Sequence, residues 1–273
     1  MVANVEQKRD AFWKLHESGC FVIPNPWDVG SARLLASMGF KALASTSSGY
    51  AWSTGRQDNH VTCDDVLAHL RLINDATDLP LNADFEGGFA DDPAGVAANV
   101  TRGIATGVAA LSIEDSTGKA DAPLYDGVLA IERIRAARQA IDASKSRVML
   151  VGRCEGFLVG VTDIDKVVAR LVAYAEAGAD CLYAPGLRTK EHIAAVVKAV
   201  APKPVNVLMG APGFSVAELA DLGVRRISVG GALARAAWGA FLRAAKDIAD
   251  NGSFAEFRNA VSHADINGMF GKR

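Results

Sequence analysis

Residues 79–92 read LPLNADFEGGFADD. The segment opens as an apolar run around Pro80, sets Asn82, Asp84 and Glu86 on alternate residues, and closes on Gly87-Gly88 and a pair of aspartates. Strand side chains alternate between faces, so a strand ending here turns three oxygen-bearing side chains to one side. The glycines beyond let backbone or a ligand come close. Acidic groups at a strand tip, followed by a flexible turn, suit a hard divalent cation and an anionic substrate. A solvated loop leading into a helix fits as well, because Asp91-Asp92-Pro93 has the form of a helix N-terminus. The flanking sequence decides between them.

Upstream, residues 4–18 read as an amphipathic helix with Val5, Phe12 and Leu15 as apolar positions. Cys20–Pro24 and Lys41–Thr46 read as short strands. A helix at Gly30–Met38 lies between them, and Thr62, with Asp65 three residues on, starts another that runs to Ala76. Tyr50–Val61 is polar, aromatic and irregular, and reads as a long loop. Downstream, strands are expected at Ala109–Ile113, Arg147–Gly152, Asp180–Ala184, Pro204–Leu208 and Arg225–Val229. Helices are expected at Pro93–Thr106, Gly127–Ala143, Asp163–Ala177, Thr189–Val200 and Ser215–Leu222, then Leu233–Asn251 and Ser253–Ser262. Met38-Gly39-Phe40, Thr106-Gly107-Val108, Ala177-Gly178-Ala179 and Leu222-Gly223-Val224 form a faint repeat, a glycine closing a helix before every second strand. Strict βα alternation demands parallel pairing with right-handed crossovers. Eight units predict an α/β protein of the (β/α)8 TIM-barrel type, with extra C-terminal helices. An open doubly wound sheet is the alternative, but no GxGxxG follows the first strand.

The 273 residues carry a net charge of −2 and are half hydrophobic. They make one barrel domain over 1–273, without a linker. The charge gives no support to nucleic-acid or membrane-surface binding. Cys20, Cys63, Cys154 and Cys181 are scattered and form no CxxC pair, as in a reduced, cytoplasmic protein. No apolar run reaches membrane-spanning length.

Barrel active sites lie at the C-terminal strand ends, which puts acids at the third and fourth tips, Arg153 at the fifth and Ser47-Ser48-Gly49 at the second. Asp84 and Glu114 are candidate ligands for Mg²⁺ or Mn²⁺; otherwise they bond local backbone N–H groups. Arg153 is placed to clamp a substrate carboxylate; otherwise it pairs with Glu155 or Glu114. Ser48 and Gly49 offer a hydroxyl and backbone N–H groups to an oxyanion. Asp58 and His60 sit in a loop long enough to act as a lid. Cys154, on the opposite face from Arg153, reads as packing. Asn206 stands at the seventh tip, and Gly230-Gly231 at the eighth resembles a barrel anion site.

NPWDVGSARLLASMGFKALASTSSGYA, GRQD, LPLNADFEGGFADD, LSIEDS, GRCEGF and EAGADCLYAPG together resemble the isocitrate lyase/phosphoenolpyruvate mutase superfamily over essentially the whole chain. The resemblance implies a barrel whose last helices, here within 233–273, swap between subunits of a homodimer or homotetramer. It implies that Ser48, Gly49 and Tyr50 hold the carboxylate and keto oxygen of a small 2-oxo or 2-hydroxy acid, the last two through backbone N–H. It implies Arg153 on the same anion, Asn82, Asp84 and Glu114 around Mg²⁺, and Asp58 in a gating loop; Asn206, at the seventh tip, is a further candidate substrate contact. Mg²⁺ chelated by a 2-oxo carboxylate is a Lewis acid that stabilises the enolate formed on cleavage.

Two departures narrow the activity. The loop after the fourth strand, STGKADAPLYD, lacks the cysteine and histidine of the isocitrate and methylisocitrate lyases. It holds only Lys119 where the phosphonomutases carry Lys-Thr-Asn. The family's Asp-Ala-Asp is Asn82-Ala83-Asp84, which removes one negative charge at the metal. The sequence thus points to a Mg²⁺-dependent carbon–carbon lyase or decarboxylase, with Lys119, His60 and Tyr183 as candidate proton donors. The alternatives are a P–C bond enzyme of the phosphonopyruvate mutase/hydrolase type and a 2-oxo-acid binding or regulatory protein with little turnover.

Overall fold

The four glycines of the repeat take the left-handed backbone that ends a helix, with φ of +87° at Gly39 and Gly107, +108° at Gly178 and +84° at Gly223. Each turns the chain into a strand. In the computed structural model, which describes residues 3–271, the strands are β1 (Phe21–Ile23), β2 (Leu43–Ala44), β3 (Leu81–Asp84), β4 (Ala110–Glu114), β5 (Met149–Arg153), β6 (Cys181–Tyr183), β7 (Val205–Leu208) and β8 (Arg226–Ser228). All pair in parallel, in the order β1-β8-β7-β6-β5-β4-β3-β2. The two ends of that order meet where Ala44 N–H donates to Pro24 O at 3.0 Å. Asn25 reinforces the closure: Nδ2 donates to Ser45 O, and Oδ1 accepts from Val229 and Gly230 N–H, each at 2.9 Å. This is the (β/α)8 barrel that the alternation predicts.

Strand alternation divides the core into two. Outward-facing residues such as Leu81, Leu111, Leu150, Leu182, Val207 and Ile227 pack under the helices. Inward-facing Ile23, Ala42, Ala44, Ala110, Met149 and Cys181 form a smaller apolar cluster inside the barrel. α1 (Val5–Glu17) stoppers the N-terminal end of that interior with Phe12, which is fully buried. Lys8 donates to the carbonyls of Asn74 and Thr77, Arg9 to those of Ile104 and Val108, and Trp13 to that of Arg147.

α2 (Val29–Ser37), α4 (Cys63–Ala76), α5 (Pro93–Ile104), α6 (Gly127–Ala143), α7 (Ile164–Glu176), α8 (Lys190–Val200) and α9 (Val216–Asp221) ring the sheet, followed by α10 (Ala232–Asn251) and α11 (His263–Phe270). Two expectations are corrected. The polar stretch after the second strand is not loop from Tyr50 onward, because Ser47–Ser53 form α3, capped by the Thr46 side chain on Gly49 N–H. The helix expected at Ser253–Ser262 is a 3₁₀ turn at Ala255–Asn259, and Ser262 caps α11 instead. Among the described residues, no helix is long and apolar enough to cross a membrane.

Candidate active site

β3 ends at Asp84, which ties three strand tips together. Its N–H donates to Ser45 Oγ at 2.8 Å, its Oδ2 accepts from Ser47 N–H at 2.9 Å, and its Oδ1 accepts from Arg153 Nη1 at 3.1 Å. Arg153, at the end of β5, also reaches Glu114 Oε2 at 3.1 Å and Glu155 Oε1 at 2.5 Å. The ion-pair alternative for Arg153 is therefore realised, with three carboxylates rather than one. Burial works against its charge, yet Glu114, Glu155 and Asp84 together hold the guanidinium protonated well beyond the ordinary range.

Two more acids crowd this cluster. Beyond Asp84 the chain leaves the strand, and Glu86 adopts a left-handed φ of +47°, unusual for a side chain of that size. Its carbonyl accepts from Glu114 N–H at 3.0 Å, and its Oε1 is buried without a partner. Burial first, then Asp84 and Asp58, push the Glu86 carboxyl up to about 8. Burial raises Glu114 well above the usual range against the pull of Arg153, with Glu155, Asp84 and Glu86 adding to the rise. Burial and Asp84 also raise Asp58. Asp58, Asp84, Glu86, Glu114 and Glu155 thus outnumber the one guanidinium they face, an all-oxygen set of the type that suits a hard divalent cation. Among the described residues, no group of three or more His, Cys, Asp or Glu side chains is arranged to hold a metal ion.

Asn82, one turn of the pleat below Asp84, faces a different partner. Its Oδ1 accepts from Arg226 Nη1 at 3.1 Å. Arg226 Nε donates to Asn206 Oδ1 at 2.9 Å, and Asn206 Nδ2 donates to Ser228 Oγ at 3.0 Å. Asn82 stands in this buried polar layer, and the cation beside it is a guanidinium.

These groups line a cavity of about 150 Å³ that opens at the strand tips, with Ser48, Asp58, Asn82, Asp84, Arg153 and Asn206 in its wall. Ser48 Oγ lies 3.1 Å from Thr46 Oγ1. Ser48 can approach β8 because residue 231 is glycine: a Cβ there would stand 2.7 Å from Ser48 Oγ and 3.1 Å from the Trp52 ring. Gly49 is also required by packing, since a Cβ would meet Thr46 Cγ2 at 2.6 Å and Trp27 Cβ at 2.9 Å. A second chamber of about 640 Å³ lies alongside, walled by Trp52, Leu158, Leu187, Met209 and Phe214, and shares Ser48 and Asp58 with the first.

Tyr50 does not keep the part expected of it. Its N–H donates to Thr46 O within α3, its phenol donates to Asp65 O, and its ring stacks on His69 at 3.8 Å, outside both cavities. Of the three candidate proton donors, Tyr183 lines the inner cavity, with its ring 5.2 Å from the Arg153 guanidinium. Burial pushes its phenol up to about 12, with Arg153 opposing. His60 and Lys119 are exposed and line neither cavity. Cys154 packs in the outer core, and burial pushes its thiol far up. Asp115 is structural: it accepts from Tyr174 Oη at 2.6 Å, Arg170 Nη1 at 3.2 Å and Glu155 N–H at 2.7 Å. Sequence reasoning missed Arg226. The available signal was an arginine inside an otherwise apolar run, RRISV, on a strand of an all-parallel sheet, where both faces are covered.

The phosphoenolpyruvate phosphomutase family model matches residues 12–249. A solved chain from Burkholderia cenocepacia J2315, described as a lyase/mutase, superposes with a TM-score of 0.95 at 49% identity, covering 98% of each chain. The solved 2,3-dimethylmalate lyase, a member of the phosphoenolpyruvate mutase/isocitrate lyase superfamily, superposes at 0.85 with 28% identity, over 99% of this chain and 95% of that one. The oxaloacetate decarboxylase of Pseudomonas paraeruginosa is 30% identical over 77% of this chain and 74% of its own.

Proposed function

The chain belongs to the phosphoenolpyruvate phosphomutase family, within the isocitrate lyase/phosphoenolpyruvate mutase superfamily, and on that premise we propose that it is a carbon–carbon lyase or decarboxylase. Its substrate is a small 2-oxo or 2-hydroxy carboxylic acid. The observation that carries this reading is a small polar cavity walled by Ser48, Asp58, Asp84 and Arg153, in which Arg153 is ion-paired with Asp84 and, behind the wall, with Glu114 and Glu155. Relatives named for oxaloacetate decarboxylation and 2,3-dimethylmalate cleavage support it.

Asp84 and Glu114, with Glu86, would hold Mg²⁺ or Mn²⁺. Bound there, the ion supplies Lewis acidity toward a 2-oxo carboxylate. Arg153 holds Asp84 in the cavity wall and adds a fixed positive charge to the anion's surroundings. Ser48 Oγ orients the carboxylate, the N–H groups of Ser47, Gly49 and Tyr50 being taken up by Asp84 and Thr46. Asp58, reaching in from the segment after α3, shields the cavity from water. Tyr183 keeps its proton at neutral pH and can return it to the carbon left by the departing group.

The test is to follow product release from oxaloacetate, 2,3-dimethylmalate and phosphonopyruvate in the presence of excess Mg²⁺. Cleavage of a C–C bond, lost on chelation and reduced at least a hundredfold in Asp84→Ala, is the expected result. Turnover indifferent to both overturns the metal role. Turnover of phosphonopyruvate alone makes the protein a P–C bond enzyme. Binding without turnover of any of the three makes it a binding protein.

A further inference from the structure

Arg226 is 2% exposed, yet no carboxylate pairs with it among the described residues. Its two recorded partners are the amides of Asn82 and Asn206, which take up its N–H groups and leave its charge uncancelled. A buried cation that no carboxylate neutralises is costly. Arg153, half-buried at the strand tips, lies within 3.1 Å of three carboxylates, and Arg133, buried and without a carboxylate among the described residues, stacks over Tyr125 away from the inner cavity. Arg226 also lines the inner cavity, deep on the β7–β8 side. Asp84, at the end of β3, lines the same cavity, as does Asp58.

The cavity is thus polarised, with carboxylates at Asp58 and Asp84 in one wall and the Arg226 guanidinium in another. A monocarboxylate placed between Ser48 and the acid cluster leaves the second wall unmet. We propose that Arg226 is a second anion anchor, which takes the distal carboxylate of a dicarboxylate substrate. This rests on the reading of the cavity as a 2-oxo or 2-hydroxy acid site. Asn82 gains a reason through the same contact. An aspartate at that position would stand against Arg226 and cancel its charge. The amide holds the guanidinium in place and leaves the charge for the ligand. Asn206 does the same from the neighbouring strand, where Cα register pairs it directly with Arg226.

Malate and 2-hydroxybutyrate share a carbon chain and differ by a carboxylate in place of a methyl, so their affinities isolate the anchor. Calorimetry with Mg²⁺ present is expected to show malate binding at least tenfold more tightly to the wild-type protein. Arg226→Gln is expected to bring the two within threefold of one another while leaving 2-hydroxybutyrate affinity unchanged. Asn82→Asp is expected to do the same and also to raise the melting temperature, because it completes a buried ion pair. Equal binding by the wild type overturns the anchor and leaves the hydroxy-acid site standing. Binding of neither acid overturns both. A malate preference that survives in Arg226→Gln overturns the anchor, and where that variant does not fold, survival in Asn82→Asp does so.

Discussion

Arg153 Nη1 lies 3.1 Å from Asp84 Oδ1, joining the end of β5 to the end of β3 across the mouth of the barrel. The same nitrogen is 3.1 Å from Glu114 Oε2 on the strand between them. Removing this guanidinium leaves several carboxylates facing one another in a half-buried site. Arg153→Met is therefore expected to destabilise the fold by about 3 kcal/mol. The melting temperature, followed by circular dichroism, should drop by roughly 6–10 °C at pH 7. The drop should shrink at pH 5, where the acids can protonate.

Chelation tests the acid cluster from the other side. A divalent cation that binds only the folded state stabilises it by about 2.7 kcal/mol at a hundred times its dissociation constant. Dialysis against EDTA should lower the melting temperature by roughly 5 °C or more, and Mg²⁺ should restore it. Glu114→Gln should halve that recovery or abolish it. An unchanged melting temperature in wild-type protein would count against any ion between Asp84 and Glu114.

Two buried histidines make the fold sensitive to acid. Burial, aided by Arg226, lowers His16 to about 3, and burial lowers His69 to about 4 against a small pull from Asp28. Unfolding returns both to the ordinary value near 6.5. The unfolded chain then binds more protons below pH 6.5, and the stability from keeping each ring neutral is lost as pH falls from 6.5 toward 4. At pH 5 the loss is about 2 kcal/mol for each ring. His69→Phe keeps the stack on Tyr50 and removes one of the two. Its melting temperature relative to wild type should rise by roughly 4–8 °C between pH 7 and pH 5. The raised Glu86 carboxyl shifts stability in the opposite sense over that range, but it is common to both proteins and cancels in the comparison.

Gly231→Ala should act on the ligand more than on the fold. The added methyl meets Ser48 Oγ and the edge of Trp52, so the serine must turn away from the cavity. Oxalate affinity by calorimetry should fall at least tenfold with a melting-temperature change of about 2 °C or less, within the usual range for a small local shift. Unaltered oxalate binding would remove Ser48 from the anion site.

Trp238, Phe241 and Leu242 on α10 stand exposed in the single chain, as do Phe254 and Phe257 just beyond it. Apolar exposure on this scale is what a contact between subunits would cover. The proposal that residues 233–273 join subunits predicts that Phe241→Lys with Phe257→Lys sediments as a monomer where the wild type does not.

The barrel was legible because its strands are short runs of apolar and β-branched residues set off by glycine-capped helices, a local pattern that survives without knowledge of contacts. α3 was not, since Ser47–Ser53 amounts to two turns in a polar stretch, and the deciding contact is one threonine side chain on one amide. The acid cluster was legible at Asp84 and Glu114 from strand parity. The environment of Asn82 was not, because its partner lies 144 residues away on β8. Read along the chain, Asn82 is an aspartate missing its charge, and only the closed barrel sets an arginine against it. Tyr50 failed for a similar reason: helix formation at α3 takes up the very N–H that an open loop would have offered.

α1 bears on how the molecule assembles. Its contacts reach carbonyls at residues 74, 77, 104, 108 and 147, just ahead of β3, β4 and β5. During synthesis this helix leaves the ribosome more than a hundred residues before the last of its partners exists. Closing such long loops is slow, so α1 has to wait, its apolar face unburied, while half the barrel forms behind it. The stopper at the bottom of the barrel is made first and seated late.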